Sequence, residues 1–121
     1  MRKIYWTEQF ETFYREISPS AQEKMDYILG MIKEIYVVNK KFVKKLENTE
    51  FYEIRISVDN EYRVVLFTID NDSFILSTKV LLLNGFIKKS TKDYKAQIDI
   101  AKKIKTSYYE TKAANGEDNE A

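Results

Sequence analysis

The sequence predicts an α+β fold, in which an N-terminal helix hairpin packs on a small antiparallel sheet and a C-terminal helix closes the chain. Apolar residues recur at spacings of three and four up to about residue 37, which is typical of amphipathic helices. From residue 50 the period changes to two, which is typical of strands with one face on a core. At 121 residues, 44% of them hydrophobic, the chain can form one core, so we expect a single domain over 1–109.

The first part of the chain is predicted to form one short strand and two helices. Residues 3–6 (KIYW) are the strand, and Thr7 is placed to cap a helix over 8–17. After a Ser-Pro-Ser stretch, Ser20 begins a capping box, SAQE, for a second helix that runs to about residue 37. The two helices then form an antiparallel hairpin with one apolar face.

The second part alternates strands with turns before a last helix. Three strands, separated by turns rich in Asp and Asn, are predicted over residues 50–58, 61–69 and 73–83. The last helix is predicted from about Asp93 to Tyr109. The acidic segment over 110–121 has no large apolar residue, which predicts a disordered tail.

Two glycines interrupt apolar segments. Gly30 lies inside the second helix and costs roughly 1 kcal/mol relative to alanine, so we expect a close packing contact there. Gly85 follows the leucines of the third strand, and we expect the chain to leave that buried strand through a turn at Asn84-Gly85. Lys88 and Lys89 follow this exit, where they concentrate positive charge.

The register of the first strand pair decides whether two arginines can act together. A two-residue turn at Asp59-Asn60 would place Arg55 and Arg63 on opposite faces. A three-residue loop over 59–61 places both on one face, with Arg63 opposite Ser57 and the two arginine backbones roughly 7–8 Å apart. We favour the second register, because the alternating apolar residues need the core. Two like charges this close cost stability unless an anion lies between them.

Composition narrows the possible chemistry. The chain has no cysteine, which excludes a disulfide scaffold, a thiol nucleophile and thiolate-bound zinc. It has no histidine either, so acid–base chemistry would fall to Lys, Arg, Tyr or a carboxylate. We expect no metal and no cofactor. No apolar run approaches the roughly 20 residues that span a bilayer, and the N-terminus is too charged for a signal peptide, so we expect a cytoplasmic protein.

Positive charge is concentrated in one part of the chain. Residues 1–109 hold 19 basic and 15 acidic residues, a net charge of +4, whereas the whole chain carries +1. Between residues 79 and 105, eight lysines stand against Asp93 and Asp99. Such a basic surface suits an anionic partner such as nucleic acid. It is also compatible with a surface whose charge serves only solubility.

Three motifs in this order resemble the RelE/ParE superfamily of bacterial toxins, and its HigB-like branch in particular. They are YEIRI (52–56), EYRVVLF (61–67) and LLNGFIKKSTK (82–92). The likeness covers about residues 3–109, and its most specific part is Gly-Phe-x-Lys-Lys after the two strands. The chain departs from the branch at Asp93-Tyr94, where Thr/Ser-Pro is usual, and it lacks the histidine that some relatives use.

The resemblance implies a twisted antiparallel sheet with the helix hairpin on one face and a concave basic face on the other. Members of the HigB type are mRNA interferases, which cut mRNA in the ribosomal A site and are neutralised by a co-encoded antitoxin. The partners implied are therefore mRNA on the ribosome and a cognate antitoxin, which we expect to be a small helix-turn-helix protein. No membrane and no small-molecule cofactor is implied.

The resemblance also implies which residues act. Carried over by position, Arg55, Arg63, Lys88 and Lys89 form the catalytic centre. Arg63 is our first choice for stabilising the phosphate, because a guanidinium presents a planar fork of donors. The alternative for Arg63 is a salt bridge to a neighbouring carboxylate, either that of Glu61 or that of Glu53. The alternative for the lysines is a solvated basic turn.

Four further residues are candidates for RNA binding: Lys79, Lys92, Tyr94 and Glu53. Lys79 would lie opposite Arg63 if the second strand pair also had a three-residue loop. Tyr94 could stack on a base or simply pack the helix. Glu53 could serve as a base or as a charge partner. Lysines 40, 41, 44 and 45 suggest a solvated face that could also meet ribosomal RNA.

Two other functions fit the same fold. One is a ParE-like toxin that inhibits DNA gyrase by protein contact, which would not need Arg63 or Lys88. The other is a catalytically inert RNA-binding or interaction module, to which the missing histidine lends support. Fold alone cannot separate these possibilities, because function resides in the site.

Overall fold

The computed structural model describes residues 1–115 of the chain, and side chains up to residue 112. It has five strands: β1 (Lys3–Trp6), β2 (Val43–Lys45), β3 (Phe51–Ser57), β4 (Glu61–Thr68) and β5 (Lys79–Ile87). Its three helices are α1 (Glu8–Glu16), α2 (Pro19–Glu34) and α3 (Asp93–Asn115). The predicted α+β fold is confirmed. None of the helices described is long and apolar enough to span a membrane.

One sheet holds all five strands in the order β1-β5-β4-β3-β2. Neighbouring strands are antiparallel except β1, which pairs in parallel with β5. The sequence did not predict β2, which pairs with β3 and forms one edge of the sheet. A strand of three residues, VKK, is too short to show a period of two.

Both faces of the sheet are covered. The α1–α2 hairpin covers one face, with a core that includes Met25, Ile28, Ile32, Ile54, Ile56, Val64 and Leu82. Helix α3 packs on the other face, over Phe51, Val65, Leu81, Leu83, Ala101 and Ile104. The resemblance led us to expect a concave basic face there. Too many of its residues are apolar for that face to remain in water, so α3 leaves only part of it accessible.

Several helix boundaries differ from those predicted, and α2 ends at Glu34 rather than near residue 37, since Ile35 already has an extended backbone. Ser18, not Ser20, caps α2, since its hydroxyl accepts a hydrogen bond from the Ala21 amide at 3.1 Å. Pro19 occupies the first helical turn, so the cap must precede it. Thr7 caps α1 as predicted, through the Phe10 amide at 3.1 Å. Helix α3 continues to Asn115, so residues 110–115 are helical, while the rest of the predicted tail lies outside the described residues.

The β3–β4 pair places both arginines on one face, as predicted, but in a different register. Arg55 lies directly opposite Arg63, and Ser57 lies opposite Glu61. The loop therefore covers residues 58–60 rather than 59–61. The prediction that both arginines share a face was right, but the predicted pairing was shifted by one position in each strand.

Strand β5 begins and ends later than predicted. Residues 73–78 belong to the β4–β5 connection, and the strand passes through Gly85 to Ile87 instead of turning there. Leu82 pairs with Leu66, but Gly85 pairs with Val64, so β5 has one extra residue at this point. This is a β-bulge, and it reverses which face later residues occupy. Leu82 therefore faces the hairpin, whereas Phe86 faces α3.

Arg2 joins three parts of the chain. Its side chain is buried, at 1% exposure. The guanidinium donates to the carbonyl oxygen of Ile32 (2.8 Å), in the last turn of α2, and to those of Ile35 (2.5 Å) and Tyr36 (2.6 Å), which follow the helix. It also donates to carbonyl oxygens of the β4–β5 connection, of Phe74 (2.8 Å) and Ser77 (3.1 Å). Arg2 thus satisfies acceptors that the end of a helix leaves without partners.

Neither glycine has the role expected of it. A Cβ on Gly85 would lie 2.3 Å from the Phe13 ring, so this position requires glycine for a close approach to α1. A Cβ on Gly30 would meet nothing within 4 Å, so the predicted close contact there is wrong.

We therefore expect Gly85→Ala to lower the free energy of unfolding by about 1–3 kcal/mol, because the Phe13 ring must move. Gly30→Ala is the matched control. It should raise the free energy of unfolding by up to about 1 kcal/mol, because alanine stabilises an open helical position. Urea denaturation of both variants checks this, and equal changes would contradict it.

Replacing Arg2 by methionine keeps an unbranched stem but leaves several buried carbonyl oxygens unpaired. We expect the free energy of unfolding to fall by about 3 kcal/mol or more. Arg15→Met is the matched control, since Arg15 is exposed and, within the part of the chain that the structure describes, pairs only with Glu11 on the surface of α1. That change should stay within about 0.5 kcal/mol. Similar losses in the two variants would show that Arg2 is no anchor.

Candidate functional site

Most of the predicted site residues meet on the α3 side of the sheet. Glu53 and Arg55 come from β3, Arg63 comes from β4, Lys88 directly follows β5, and Tyr94 lies in the first turn of α3. The β-bulge contributes to this arrangement. Because it turns Phe86 toward α3, Lys88 two residues later lies on the same side, with its ammonium 5.6 Å from the centre of the Tyr94 ring.

One oxygen of Glu53 is the centre of the cluster. Glu53 Oε1 accepts a hydrogen bond from the Tyr94 hydroxyl at 2.8 Å and lies 3.1 Å from Arg63 Nε. The same oxygen lies 3.5 Å from Arg55 Nε. Glu53 is buried, at 5% exposure. The two opposite arginines therefore have an anion between them, and it is supplied by the protein itself.

Arg63 is enclosed by its partners. It is 2% exposed, and its Nε donates to the Tyr94 hydroxyl at 3.0 Å. Its Nη1 donates to the Tyr62 carbonyl at 2.9 Å, and its Nη2 donates to Glu61 Oε1 at 3.2 Å. Burial alone would lower the pKa of Arg63, but these hydrogen bonds and the nearby carboxylates raise it, so the guanidinium remains charged. In this arrangement Arg63 presents no free nitrogen to solvent.

Tyr94 is held by its hydroxyl and by its ring. The hydroxyl donates to Glu53 and accepts from Arg63. The ring packs edge to face on Phe86, with the ring centres 5.7 Å apart. Burial, and then the hydrogen bond to Glu53, raise the pKa of the Tyr94 phenol, while Arg63 acts in the opposite direction. The phenol is therefore neutral near pH 7.

A cleft of about 330 Å³ opens beside this cluster, between β2, β3 and α3. Its lining holds four cationic side chains, of Lys44, Lys45, Arg55 and Lys88, and two carboxylates, of Glu47 and Glu53. Leu46, Tyr94 and Ile98 complete the wall. Arg55 is one-third exposed here, with 33% of its side chain accessible. The cleft can therefore hold an anion against a partly apolar surface.

A larger cleft, of about 1220 Å³, lies further along α3 and is less suited to an anion. Its lysines 45, 102 and 105 face three acidic residues, Glu50, Asp72 and Glu110. Lys105 is also paired with Glu50 at 2.5 Å. Because charges in this larger cleft balance, we regard the smaller, positively charged cleft as the candidate site.

The remaining predicted residues lie outside the cleft. Lys79 pairs with Lys3 at the other end of β5, so its predicted position opposite Arg63 is wrong; Phe86 occupies that position. The reason is the long β4–β5 connection, over residues 69–78. Lys89 and Lys92 are exposed, near the start of α3.

Asp93 organises the segment between β5 and α3. Its Oδ2 accepts hydrogen bonds from the amides of Lys89 at 2.7 Å and Ser90 at 3.0 Å. These two bonds lower the pKa of the Asp93 carboxyl. The departure at Asp93-Tyr94 thus provides both a loop closure and the tyrosine of the cluster.

Sequence reasoning did not assign Lys44 and Lys45 to this site, because β2 was not predicted. It did consider Glu53 as a charge partner, because Glu53 and Arg55 are two positions apart on β3 and therefore lie on the same face. No local pattern shows that a residue on that face is covered by a helix that comes 40 residues later.

Comparisons with known proteins identify a matching family and solved structures with a similar fold. The family described as Phage derived protein Gp49-like (DUF891) matches residues 12–106. No curated protein sequence matches the chain significantly.

Solved structures of E. coli toxins have a similar fold. A chain of the intact E. coli RelBE toxin–antitoxin complex matches with a TM-score of 0.57 and 16% identity, over 74% of this chain and 100% of that one. A mutant of the E. coli toxin RelE in the free state matches with a TM-score of 0.57 and 17% identity, over 78% and 93%. The isolated E. coli RelE toxin matches with a TM-score of 0.53 and 13% identity, over 82% and 97%.

At these identities the structural likeness shows the fold alone, and the HigB-like branch stays a prediction. The family match covers residues 12–106, which is most of the chain. The chain belongs to the phage-derived Gp49-like family, and its fold is that of the RelE/ParE toxin superfamily.

Proposed function

We propose that the protein is the toxin of a type II toxin–antitoxin system, of the HigB-like branch, and that it is a metal-independent endoribonuclease that cuts mRNA on the ribosome. The observation that carries this proposal is the cationic cleft. It brings Arg55, Lys88 and Tyr94 together in one lining, with the Lys88 ammonium over the Tyr94 ring. The family and the fold support the toxin class.

Cleavage of RNA by its own ribose needs three things. The 2′-hydroxyl must lose a proton, the charge on the pentavalent phosphate must be stabilised, and the 5′-oxygen must gain a proton as it leaves. Cationic side chains in a partly desolvated cleft can meet the second and third needs. The residues of this cleft are suited to these tasks in different ways.

Arg55 is the better of the two arginines for contacting the phosphate. Its contact with Glu53 is long, at 3.5 Å, and a third of its side chain is exposed. It can turn toward a phosphate without leaving a buried charge unpaired. Arg63 cannot do so, since it is buried and bonded to Glu53, Glu61 and Tyr94. In this proposal Arg63 holds the cluster in place.

Lys88 is the proposed donor of the leaving-group proton. It lies at the edge of the cleft, next to the Tyr94 ring. Tyr94 is proposed to contact the ribose 2′-hydroxyl, since its own hydroxyl lies among the polar groups of the cluster. The exposed Lys89 and Lys92 would contact the RNA backbone outside the cleft, and Lys44 and Lys45 would contact it on the β2 side.

The proposed partners follow from the same cleft. Ribosomes with mRNA are in the cytoplasm, where we place the protein. A cognate antitoxin would bind with an acidic or helical segment against the cationic cleft and so exclude RNA. The RelBE complex, whose fold is similar, contains a toxin and an antitoxin. An open reading frame for a small helix-turn-helix protein beside this one would support the assignment.

We expect Arg55→Ala and Lys88→Ala each to reduce mRNA cleavage on the order of 10²-fold, because each removes one charge that acts in the transition state. The chain and its variants would be induced in a bacterial host, with growth followed and mRNA ends mapped. Lys79→Ala is the matched control, since Lys79 lies at the far end of β5. It should arrest growth as the unchanged chain does.

Other results would redirect the proposal. Growth arrest with intact mRNA would favour a protein target such as gyrase. A well-expressed, folded chain that neither arrests growth nor cuts mRNA would favour the inert binding module. Equal loss of cleavage in the Lys79 and Lys88 variants would show that the cleft is not the catalytic site.

The two arginines should also differ in their effect on stability. Arg63→Ala leaves Glu53 as a buried charge short of its partner, so we expect the free energy of unfolding to fall by about 3–5 kcal/mol. Arg55→Ala should lower it by less than about 1 kcal/mol, because that pair is partly exposed. Urea denaturation measures both values. A small effect of the Arg63 change would mean that Arg63 is not the residue that holds the cluster.

A further inference from the structure

The Tyr94 hydroxyl has one hydrogen-bonding position left for a ligand. A phenol offers one proton and two lone pairs. The proton is directed to Glu53 Oε1 at 2.8 Å, and one lone pair accepts from Arg63 Nε at 3.0 Å. Among the hydrogen bonds of the described residues, none uses the second lone pair. Tyr94 and Glu53 both line the cleft, and in the proposal below a substrate hydroxyl approaches this oxygen from there.

The cleft also needs a group that takes up the proton of the nucleophile. Lysine and arginine are poor proton acceptors at neutral pH, and the chain has no histidine. Two carboxylates line the cleft, those of Glu47 and Glu53. Only Glu53 is hydrogen-bonded to Tyr94, but it is too buried to contact a ribose directly.

We propose that Glu53 is a positioning residue that accepts the nucleophile's proton through Tyr94. This rests on the proposed function and adds the acceptor that the cleavage reaction requires. As the ribose 2′-hydroxyl gives its proton to Tyr94 Oη, Tyr94 gives its own proton to Glu53 Oε1. Tyr94 begins and ends this step as a neutral phenol.

The step balances in atoms and charge. The 2′-oxygen forms a bond to phosphorus, the bond from phosphorus to the 5′-oxygen breaks, and that oxygen takes a proton from the Lys88 ammonium. The products are a 2′,3′-cyclic phosphate and a free 5′-hydroxyl. Glu53 is left protonated and Lys88 neutral. Glu53 returns its proton to water through Tyr94, and Lys88 regains one from water.

The surroundings of the pair favour a relay over a permanently ionised tyrosine. Burial and the bond to Glu53 raise the pKa of Tyr94, so a standing phenolate is not available near pH 7. Arg63 Nε points at the phenol oxygen and stabilises the negative charge that develops there during transfer. The charged and titratable groups around Glu53 are Arg55 on β3, Arg63 on β4, Tyr94 on α3 and Lys44, which lies directly opposite Glu53 on β2. The other such groups in the cleft lining are Lys45, Glu47 and Lys88.

Glu61 provides a matched control on the other side of Arg63. It accepts from Arg63 Nη2 at 3.2 Å and from the Ser57 hydroxyl at 2.7 Å. Half of its side chain is exposed, and it does not line the cleft. Glu61→Gln and Glu53→Gln each remove one carboxylate next to Arg63, but only Glu53→Gln removes the proton acceptor of Tyr94.

The experiment measures single-turnover cleavage of mRNA on programmed ribosomes, across pH, by the full chain and by E53Q, E61Q and Y94F. We expect E53Q to be slower near pH 7 by on the order of 10²-fold or more, with ribosome affinity unchanged. Its rate should then rise toward alkaline pH, because an ionised Tyr94 needs no acceptor. E61Q should follow the profile of the full chain. Y94F should be slow at every pH, and adding E53Q to it should have little further effect.

The possible outcomes separate a failure of the relay from a failure of the proposed function. If the full chain cleaves mRNA and E53Q matches E61Q in rate and pH profile, the relay is overturned while the proposed function stands. If the full chain does not cleave at any pH, the proposed function is overturned and the relay falls with it. If urea denaturation shows that E53Q is unfolded, Y94F decides, because it leaves the Glu53–Arg63 pair in place. Full activity of Y94F would overturn the relay.

Discussion

The site depends on one carboxylate that neutralises two arginines placed directly opposite each other. Side chains directly opposite on paired strands have Cβ atoms about 4.5–5.5 Å apart, so Arg55 and Arg63 would repel each other. Glu53 lies on the same face of β3, and one of its oxygens contacts both guanidinium groups. Because Glu53 and Arg63 are buried, the loss of either leaves the other with only a partly exposed partner, Arg55 for Glu53 and Glu61 for Arg63. The position of Tyr94 and the partial freedom of Arg55 both follow from this pairing.

The second determinant is the β-bulge in β5. Without the extra residue, strand alternation would put Phe86 on the same face as Leu82, against the α1–α2 hairpin. The bulge puts Phe86 under Tyr94 and brings Lys88 to the cleft, while Gly85 makes room for the Phe13 ring on the opposite face. The bulge thus affects both faces of the sheet, since it allows α1 to pack closely on one face and sets the position of Lys88 on the other.

Local patterns in the sequence were enough for the elements that depend on periodicity. The Thr7 cap, the start of α3 near Asp93 and the shared face of Arg55 and Arg63 could all be predicted. Features that depend on contacts distant in the chain could not be predicted. Asn84-Gly85 is typical of a turn as well as of a bulge, and only pairing with β4 decides between them. The burial of Glu53 and Arg63 likewise depends on α3, which no pattern in β3 or β4 reports.

The parallel pairing of β1 with β5 has a consequence for the order of folding. Arg2 and Ser77 are 75 positions apart in the chain, yet they are hydrogen-bonded. Contacts between such distant positions form late, because the entropy of closing a long loop must be overcome first. During synthesis, β1 has no strand to pair with until β5 has left the ribosome. Until then the part of the hairpin that packs on β5 is uncovered, and the cleft that Lys88 and Tyr94 help to line does not yet exist.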